Sequence, residues 1–343
     1  MRKLEFGWAI ALTVIFCLSN AAHAQVYESV GIRAKGMGGA FVAVADDSTL
    51  AWWNPAGLAS SRLLSLTGER DQVTMPPSPT VSEPARRDTA SGFAFSYPGL
   101  AFSYYRLRVS EIAPIVATGG GSPDRQDPEE AEVGLQEFAI SQYGISVGQS
   151  LGNHFVLGTT LKLMRGGKSE SIAVAGEDVD ELFDLASALD VKSETSTDID
   201  IGAMAAFGKV RIGATLKHAK AASFGEGEDK VELPRQARAG VAYFLSSPGL
   251  VDAITFSADA DLMATDTVRG EVRRIAGGAE AWLGGRRFGL RTGVNFDTIG
   301  ESDTTGSVGV SVGIAGGVAL DSAWIFGADK TRNGLSGGFS VTF

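Results

Sequence analysis

Few side chains of this sequence have the types and spacing that catalysis requires. Beyond residue 24 the only histidines are His154 and His218, and no Ser-His-Asp or Cys-His set can be assembled around them. Asp46 and Asp47 could bind a cation, but two neighbouring carboxylates alone make a poor metal site. The alternative role for this pair is the cap of a short turn or a buried hydrogen-bond partner. We therefore expect no catalytic residue, no metal and no cofactor.

Charged residues also alternate with apolar residues along several predicted strands. Paired carboxylates can hydrolyse glycosides, but charges of mixed sign around one interior more often form salt bridges that hold its shape. The favoured interpretation is a structural network, and we do not expect an enzyme. The carboxylates are Asp198, Asp200, Asp259, Asp261 and Glu280, and the cations predicted to face them are Lys162, Arg211, Lys217, Arg238 and Arg291.

The composition excludes several classes of protein. The chain has 343 residues with 44 glycines, 11 prolines and a formal charge of −10. The acidic balance argues against a nucleic-acid partner, which would require clustered Lys and Arg. A mean hydropathy of +0.07 is low for a bundle of membrane helices. Abundant glycine with little proline suits many short, closely packed strands.

The first 24 residues are typical of a secretory signal peptide. Arg2 and Lys3 precede an apolar run from Trp8 to Leu18, and Ala22-His23-Ala24 forms a small-x-small cleavage site. The alternative is a membrane anchor, but the run is far shorter than the roughly 20 residues that a spanning helix needs. We expect export through the inner membrane and a mature chain without cysteine, because Cys17 lies within the leader.

Period-two alternation then recurs to the last residue and predicts an all-β fold. In Ser307 to Ile314, for example, valine and isoleucine alternate with serine and glycine. Connections between the predicted strands are alternately long and short, and the short ones carry turn residues such as Pro98-Gly99. The predicted strands are 63–70, 91–97, 99–108, 136–149, 153–166, 197–207, 209–218, 234–245, 252–262, 272–284, 287–296, 305–316, 318–327 and 335–343.

Two all-β architectures share this alternation, a water-soluble sandwich and a transmembrane barrel. In the barrel the apolar face meets lipid and the small polar face lines the lumen. The alternating loop lengths favour an antiparallel transmembrane β-barrel of about 14 strands, with its short turns in the periplasm. We therefore predict an outer-membrane protein of the Gram-negative type. The final strand, from Leu335 to Phe343, resembles the C-terminal strand by which the barrel assembly machinery recognises such proteins.

Residues 26–60 do not alternate, and they contain Gly36, Gly38 and Gly39, the acidic pair Asp46-Asp47 and the motif Trp53-Asn54-Pro55-Ala56-Gly57-Leu58. This segment resembles the N-terminal region of the FadL family of long-chain fatty acid transporters and of the related PorV-type barrels. After the leader at 1–24, the resemblance implies two regions: a hatch, or plug, inside the barrel at 25–62, and the barrel itself at 63–343.

The resemblance also implies a function and its residues. It implies an outer-membrane channel for passive uptake of hydrophobic small molecules, such as long-chain fatty acids or hydrocarbons. The alternatives are a PorV-type accessory barrel of a secretion or surface-attachment system, and an open porin. We expect a monomer in contact with outer-membrane lipid. The candidate ligand or hatch residues are Arg33, Lys35, Phe41, Asp46, Asp47, Trp53, Asn54, Pro55 and Ala56. If the ligand is a carboxylate, Arg33 or Lys35 is its expected partner on the ground of charge alone.

Two long loops carry further patterns. Residues 178–190 predict a short amphipathic helix with Val179, Leu182 and Phe183 on one face. This helix either forms an outer groove that first captures an apolar ligand or packs on the protein's own loops. The acidic run 124–132 is most simply a solvated loop, with cation binding as the alternative.

Overall fold

The computed structural model describes residues 30–60, 63–75, 85–114, 132–174, 178–227, 230–246, 249–267, 270–299, 303–328 and 332–343. The predicted leader at 1–24, the first residues of the predicted hatch and nearly all of the acidic run 124–132 lie outside these residues. In the described part, no helix has the length and apolar character needed to span a membrane.

Fourteen strands of the described chain close into an antiparallel barrel, which confirms the predicted fold class. Each strand pairs with its neighbours in the chain, and β1 closes the barrel by pairing with β18. The barrel strands are β1 (Ser65–Met75), β2 (Ala85–Tyr97), β3 (Leu100–Pro114), β4 (Glu132–Leu151), β5 (Phe155–Val174), β6 (Glu194–Phe207), β7 (Val210–Lys217), β10 (Gln236–Ser246), β11 (Val251–Asp261), β14 (Arg274–Leu283), β15 (Phe288–Asp297), β16 (Thr304–Ala315), β17 (Val318–Gly327) and β18 (Asn333–Thr342).

Two small hairpins lie in the long loops at one end of the barrel. They are β8 (Ser223–Phe224) with β9 (Val231–Glu232), and β12 (Thr265–Thr267) with β13 (Gly270–Val272). The opposite end carries the short turns, where Gly99 and Gly208 have φ of 84° and 60°. Such positive φ values cost glycine little and other residues more. The two ends are called here the long-loop end and the short-turn end.

The strands β1 to β5 extend further toward the long-loop end than the sequence predicts. The prediction ended one strand at residue 70 and began the next at 91, whereas β1 runs to Met75 and β2 starts at Ala85. Likewise β3 runs to Pro114 and β5 runs to Val174. These extensions were not predicted because the regular alternation of apolar outward and polar inward residues ends there, while the backbone pairing continues.

The outer face of the barrel is a continuous surface of exposed, large apolar side chains. Examples from distant strands are Leu161, Ile212, Leu290, Val310 and Leu335, each between 47 and 65 % exposed. An apolar surface of this extent around a whole barrel is the band that a membrane covers. The lumen side of the same strands carries the charged and small polar residues.

Residues 30–60 lie inside this barrel as a plug. The plug contains α1 (Ile32–Gly36), α2 (Leu50–Trp53) and a 3-10 helix (Pro55–Ser60). Helix α1 contacts β15 to β18, and the 3-10 helix contacts β4 to β6 on another part of the wall. A barrel of this width is not filled by its own inward side chains, so the plug supplies the missing core. The exact limits 25–62 stay a prediction.

The polarity of the wall reverses toward the long-loop end of β3, β4 and β5. Nearer the short turns the outward residues are apolar, as at Phe102 and Tyr104. Beyond that level of β3 the outward residues are Arg106 and Arg108, while Leu107 and Val109 are buried inside. A wall with a charged outer face and an apolar inner face is suited to contact with water on its outside rather than with lipid. This reversal marks the level at which the barrel leaves the membrane.

Candidate functional site

The plug is fixed to the wall by a buried charge cluster around Arg33. Its guanidinium binds Glu280 of β14 through two hydrogen bonds of 2.6 Å, and it also pairs with Asp46 and with Asp47. Glu280 is shared with Arg291 of β15, at 2.8 Å. Because every member of the cluster has a partner of opposite charge, the cluster stabilises the position of the plug.

Burial and the neighbouring charges shift the pKa values of two residues of this cluster. Burial alone would lower the pKa of Arg33, but the attraction of Asp46 and Glu280 outweighs it and raises this pKa well above the ordinary value. Burial raises the pKa of Asp47, and Arg33 offsets only part of that shift. Asp47 also accepts hydrogen bonds from the backbone and hydroxyl of Thr49, so it caps the turn that leads into α2. A cap was one of the two roles expected for this pair, and in the described residues no group of His, Cys, Asp or Glu could hold a metal ion.

Lys35 lies on the other side of α1 and is also engaged by a carboxylate. Its ammonium lies 2.6 Å from Asp71 of β1, and both side chains are buried. Glu69 precedes Asp71 by two positions on the same strand, and it accepts hydrogen bonds from the backbone amides of Gly31 and Ile32. The start of the plug is therefore held by the inner face of β1.

The middle of the plug is held through its own backbone groups, which bind side chains of the barrel wall. Asp259 of β11 accepts hydrogen bonds of 2.8 Å from the amides of Phe41 and Val42, and Arg211 of β7 donates to the carbonyl of Val44. The Phe41 ring is fully buried with its centroid 5.9 Å from that of Trp53. Phe41 and Trp53 are therefore core residues of the plug in this structure.

The Asn54-Pro55-Ala56 motif packs directly on the barrel wall. Asn54 Nδ2 donates to the carbonyls of Val42 and Ala203, and its Oδ1 accepts from the amide of Ala56. The wall opposite the motif is glycine. A Cβ placed at Gly202 would overlap Asn54 Oδ1, and one at Gly158 would overlap the Pro55 carbonyl. The motif thus needs this close approach of two backbones.

Three of the predicted cations, Lys162, Arg238 and Arg291, pair with predicted carboxylates in the lumen. Arg211 and Asp259 bind the backbone of the plug instead. Lys162 lies 2.6 Å from Asp200, Arg238 lies 2.6 Å from Asp261, and both cations are buried. The backbone amide of His218 donates to Asp200. These pairs hold neighbouring strands together and support the structural interpretation of the charges.

Above the plug, toward the long-loop end, the inner wall is apolar rather than charged. Leu107 and Val109 of β3, Phe138 and Ile140 of β4 and Met164 of β5 are all less than 9 % exposed. The hairpin β8–β9 and its flank close over them, and the resulting set is called here the apolar cluster: Leu107, Val109, Phe138, Ile140, Met164, Phe224 and Leu233. A cavity of only about 20 Å³ lies beside it.

The sequence analysis missed the apolar cluster. Its signal was present at Arg106-Leu107-Arg108-Val109, where the alternation continues with its polarity reversed. Because one residue of slip turns every side chain to the other face, such a reversal cannot be read without the register. The plug approaches the cluster at Trp52, whose ring centroid lies 5.6 Å from that of Tyr105, two residues before Leu107 on β3.

The loop helix α3 (Val179–Ser187) packs on the outside of the long-loop ends of β2, β3 and β4, which are called here the wall extension. Phe183 is fully buried and Leu182 nearly so, against Ala85, Ile112 and Leu135. Val179, the third residue predicted for an outer groove, is 43 % exposed. The structure therefore places the apolar face of the helix on barrel strands, neither on the loops named in the alternative nor along an open groove at Leu182 and Phe183.

A larger cavity of about 530 Å³ lies between the plug and the short turns. Its lining combines apolar side chains such as Trp282 and Ile314 with the charged side chains Arg33, Asp46, Arg286, Arg287 and Asp321. The charged groups suit water or polar molecules better than a hydrocarbon.

Solved structures with the same architecture span nearly the whole chain. The toluene transporter TbuX of Ralstonia pickettii is 12 % identical with a TM-score of 0.59, covering 92 % of this chain and 99 % of its own. The toluene transporter TodX of Pseudomonas putida is 9 % identical (TM-score 0.55; 93 and 98 % covered), and a FadL homologue of Pseudomonas aeruginosa is 10 % identical (0.54; 94 and 99 %). At these identities the likeness establishes the fold, and it confirms the resemblance to FadL-type barrels.

Sequence comparison gives a different and complementary result. No curated protein matches this sequence. A family model described as "F plasmid transfer operon, TraF, protein" matches residues 51–261, which run from the plug through β11. Since the match covers more than half of the chain, this protein belongs to that TraF family, and it has the plugged barrel fold of the FadL-type transporters.

Proposed function

We propose that this protein is an outer-membrane channel through which hydrophobic small molecules diffuse passively. The observation that carries the proposal is the likeness, over 92 % of the chain, to barrels named for toluene and monoaromatic hydrocarbons. The apolar outer face supports a membrane location. The plug supports selectivity, because a filled lumen excludes the polar solutes that an open porin would pass.

The apolar cluster is the proposed interior binding surface. It lies above the plug in the part of the barrel whose outside is charged, so a hydrophobic molecule arriving from outside would meet it before the plug. The described structure is closed there, with a cavity of about 20 Å³. Binding therefore requires that the hairpin β8–β9, which contributes Phe224, moves away from the wall.

The charge cluster favours an uncharged ligand over a fatty acid. Arg33 and Lys35 were the predicted partners of a ligand carboxylate, but each is already paired with carboxylates of the plug or the wall. A ligand carboxylate would have to displace Glu280 or Asp71 from a buried ion pair, which is costly. We therefore propose hydrocarbons, including aromatic ones, as the ligand class.

Uptake of radiolabelled toluene by cells with and without the gene tests this proposal. The variant Ile140→Asp places a charge in the apolar cluster and should reduce the protein-dependent uptake rate at least tenfold. The matched control Ala139→Asp changes the adjacent, outward position of the same strand and should keep uptake near the wild-type rate. Folded barrel in the outer membrane is quantified for each variant by its heat-dependent gel migration.

Two results would contradict the proposal. Equal toluene uptake in cells with and without the gene would remove the transport function altogether. If both variants lose toluene uptake to the same extent, at equal amounts of folded barrel, the transport function is not excluded. The apolar cluster is then excluded as its route.

A second candidate function rests on the family description alone. The TraF family is named for a plasmid transfer operon. This description favours a role in a protein assembly, as in the alternative of a PorV-type accessory barrel of a secretion or surface-attachment system. This alternative predicts that the barrel co-purifies with other proteins in mild detergent. Purification of the barrel from its native cells without any protein partner would count against it.

A further inference from the structure

Three exposed arginines lie on the outer face of neighbouring strands in one row of the sheet. Arg70 of β1 is opposite Ser91, Ser91 is opposite Arg106, Arg106 is opposite Ser141, and Ser141 is opposite Arg165 of β5. All three arginine side chains are exposed. Since strands lie about 4.8 Å apart, the arginines repeat every second strand at about 10 Å. These three residues are called here the arginine row.

The depth of the arginine row is fixed by the residues on either side of it. Next to the row, on its short-turn side and on the same outer face, lie Phe93, Tyr104 and Tyr143. The ring centroid of Tyr104 is 5.8 Å from that of Phe93 and 4.8 Å from that of Tyr143. Aromatic rings on the outside of a barrel mark the membrane–water interface. Directly toward the long loops, the polarity of the wall reverses. The row therefore lies at the level of the lipid headgroups.

The arginine row is not neutralised by carboxylates of the described chain. In the ranges that the structure describes, none of the three arginines forms an ion pair. The carboxylate of Glu137 attracts Arg106, but its two oxygens are bound by Arg108 and Ser110 at 2.6 Å each. Arg87, farther out on the same face, is by contrast paired with Asp180 and Asp184 of α3. The row thus presents positive charge to an external anion.

We propose that the arginine row binds the phosphate groups of anionic lipids in the leaflet at the long-loop end. Guanidinium groups bind phosphate oxygens through two parallel hydrogen bonds, and clustered cations at a membrane surface attract anionic lipids. A protein partner is the weaker occupant, because the row consists of arginine and serine and lacks the apolar centre of a protein interface. The inference rests on the proposed membrane location and is independent of the transported molecule.

Native mass spectrometry of the purified full-length protein in a non-ionic detergent tests the inference. Three probes are compared: phosphatidic acid, a diacylglycerol with the same acyl chains, and glycerol 3-phosphate. We expect phosphatidic acid to bind at least tenfold more tightly than either of the other two. The variant R70Q/R106Q/R165Q should lose that preference and bind phosphatidic acid at least tenfold more weakly than the wild type.

A charge-matched control variant replaces three other exposed cations, which also lie at the long-loop end of the barrel but outside the arginine row. The variant K220Q/R235Q/R273Q carries the same change in net charge and should bind phosphatidic acid like the wild type. If the triple variant of the row does not fold, the single variant Arg106→Gln should show a smaller loss in the same direction.

Several results would overturn the inference. Unchanged phosphatidic acid binding in the folded row variants, or an equal loss in the control variant, would exclude the row as the site. Equal binding of the diacylglycerol would show that phosphate is not recognised, and equal binding of glycerol 3-phosphate would identify a site for soluble phosphate instead. A wild-type dimer that the row variant abolishes, with phosphatidic acid binding unchanged, would assign the row to contact with a second copy.

Discussion

Single residues fix the plug through two different physical means, charge and close backbone approach. Glu280 binds both Arg33 of the plug and Arg291 of the wall. Replacing it with glutamine leaves two buried arginines without their shared countercharge, which costs about 3–5 kcal/mol in other proteins. We expect Glu280→Gln to loosen the plug and to raise ion conductance in planar bilayers severalfold. The exposed Glu170 provides the control, since Glu170→Gln should leave conductance unchanged.

The wall glycines allow a second prediction at this scale. Gly202 lies against Asn54, and a Cβ there would overlap the amide oxygen. We expect Gly202→Ala to destabilise the folded barrel by about 1–3 kcal/mol, the usual cost of overpacking. The measurement is the denaturant midpoint at which the compact gel form is lost. Gly277→Ala is the matched control, because a Cβ at Gly277 would contact nothing within 4 Å; equal shifts in both variants would contradict the role of close packing.

Among the secondary-structure elements, α3 shows that an amphipathic pattern predicts a helix without identifying what its apolar face contacts. The pattern predicts the helix, but it does not say whether its apolar face meets a ligand or the protein. In the structure Leu182 is buried on the wall extension, whereas Leu185 is 44 % exposed. We expect Leu182→Asp to release the helix and speed its proteolysis at least fivefold, with no such effect for Leu185→Asp. Equal proteolysis of the two variants would contradict the packing described here.

The strands show what the sequence can and cannot predict. Alternation and loop lengths were sufficient for fourteen strands and for their order, because lipid and lumen impose opposite polarities on successive residues. The extensions of β1 to β5 were missed because they have left the lipid and no longer follow that rule. The motif Asn54-Pro55-Ala56 indicated a hatch through family resemblance, whereas its contacts with Gly158 and Gly202 depend on the register of β5 and β6 and could not be predicted from spacing.

At the scale of the whole molecule, the plug separates this barrel from an open porin. Residues 30–60 contact the wall on opposite parts of the lumen, and most of them are buried. We expect wild-type protein in planar bilayers to conduct far less than an open barrel of fourteen strands, and deletion of residues 30–60 to raise the conductance severalfold. If the deletion variant does not insert, Glu280→Gln gives the smaller change in the same direction. High conductance of the wild type would contradict a closed plug.

The central claim is that hydrophobic molecules enter the barrel through the apolar cluster above the plug. An X-ray structure of the protein soaked with 4-bromotoluene tests it most directly, because anomalous scattering locates the bromine without ambiguity. The account predicts bromine among Leu107, Phe138 and Ile140, with the hairpin β8–β9 displaced. Bromine found instead in the larger cavity beside Arg286 and Asp321, with the apolar cluster unchanged, would contradict it.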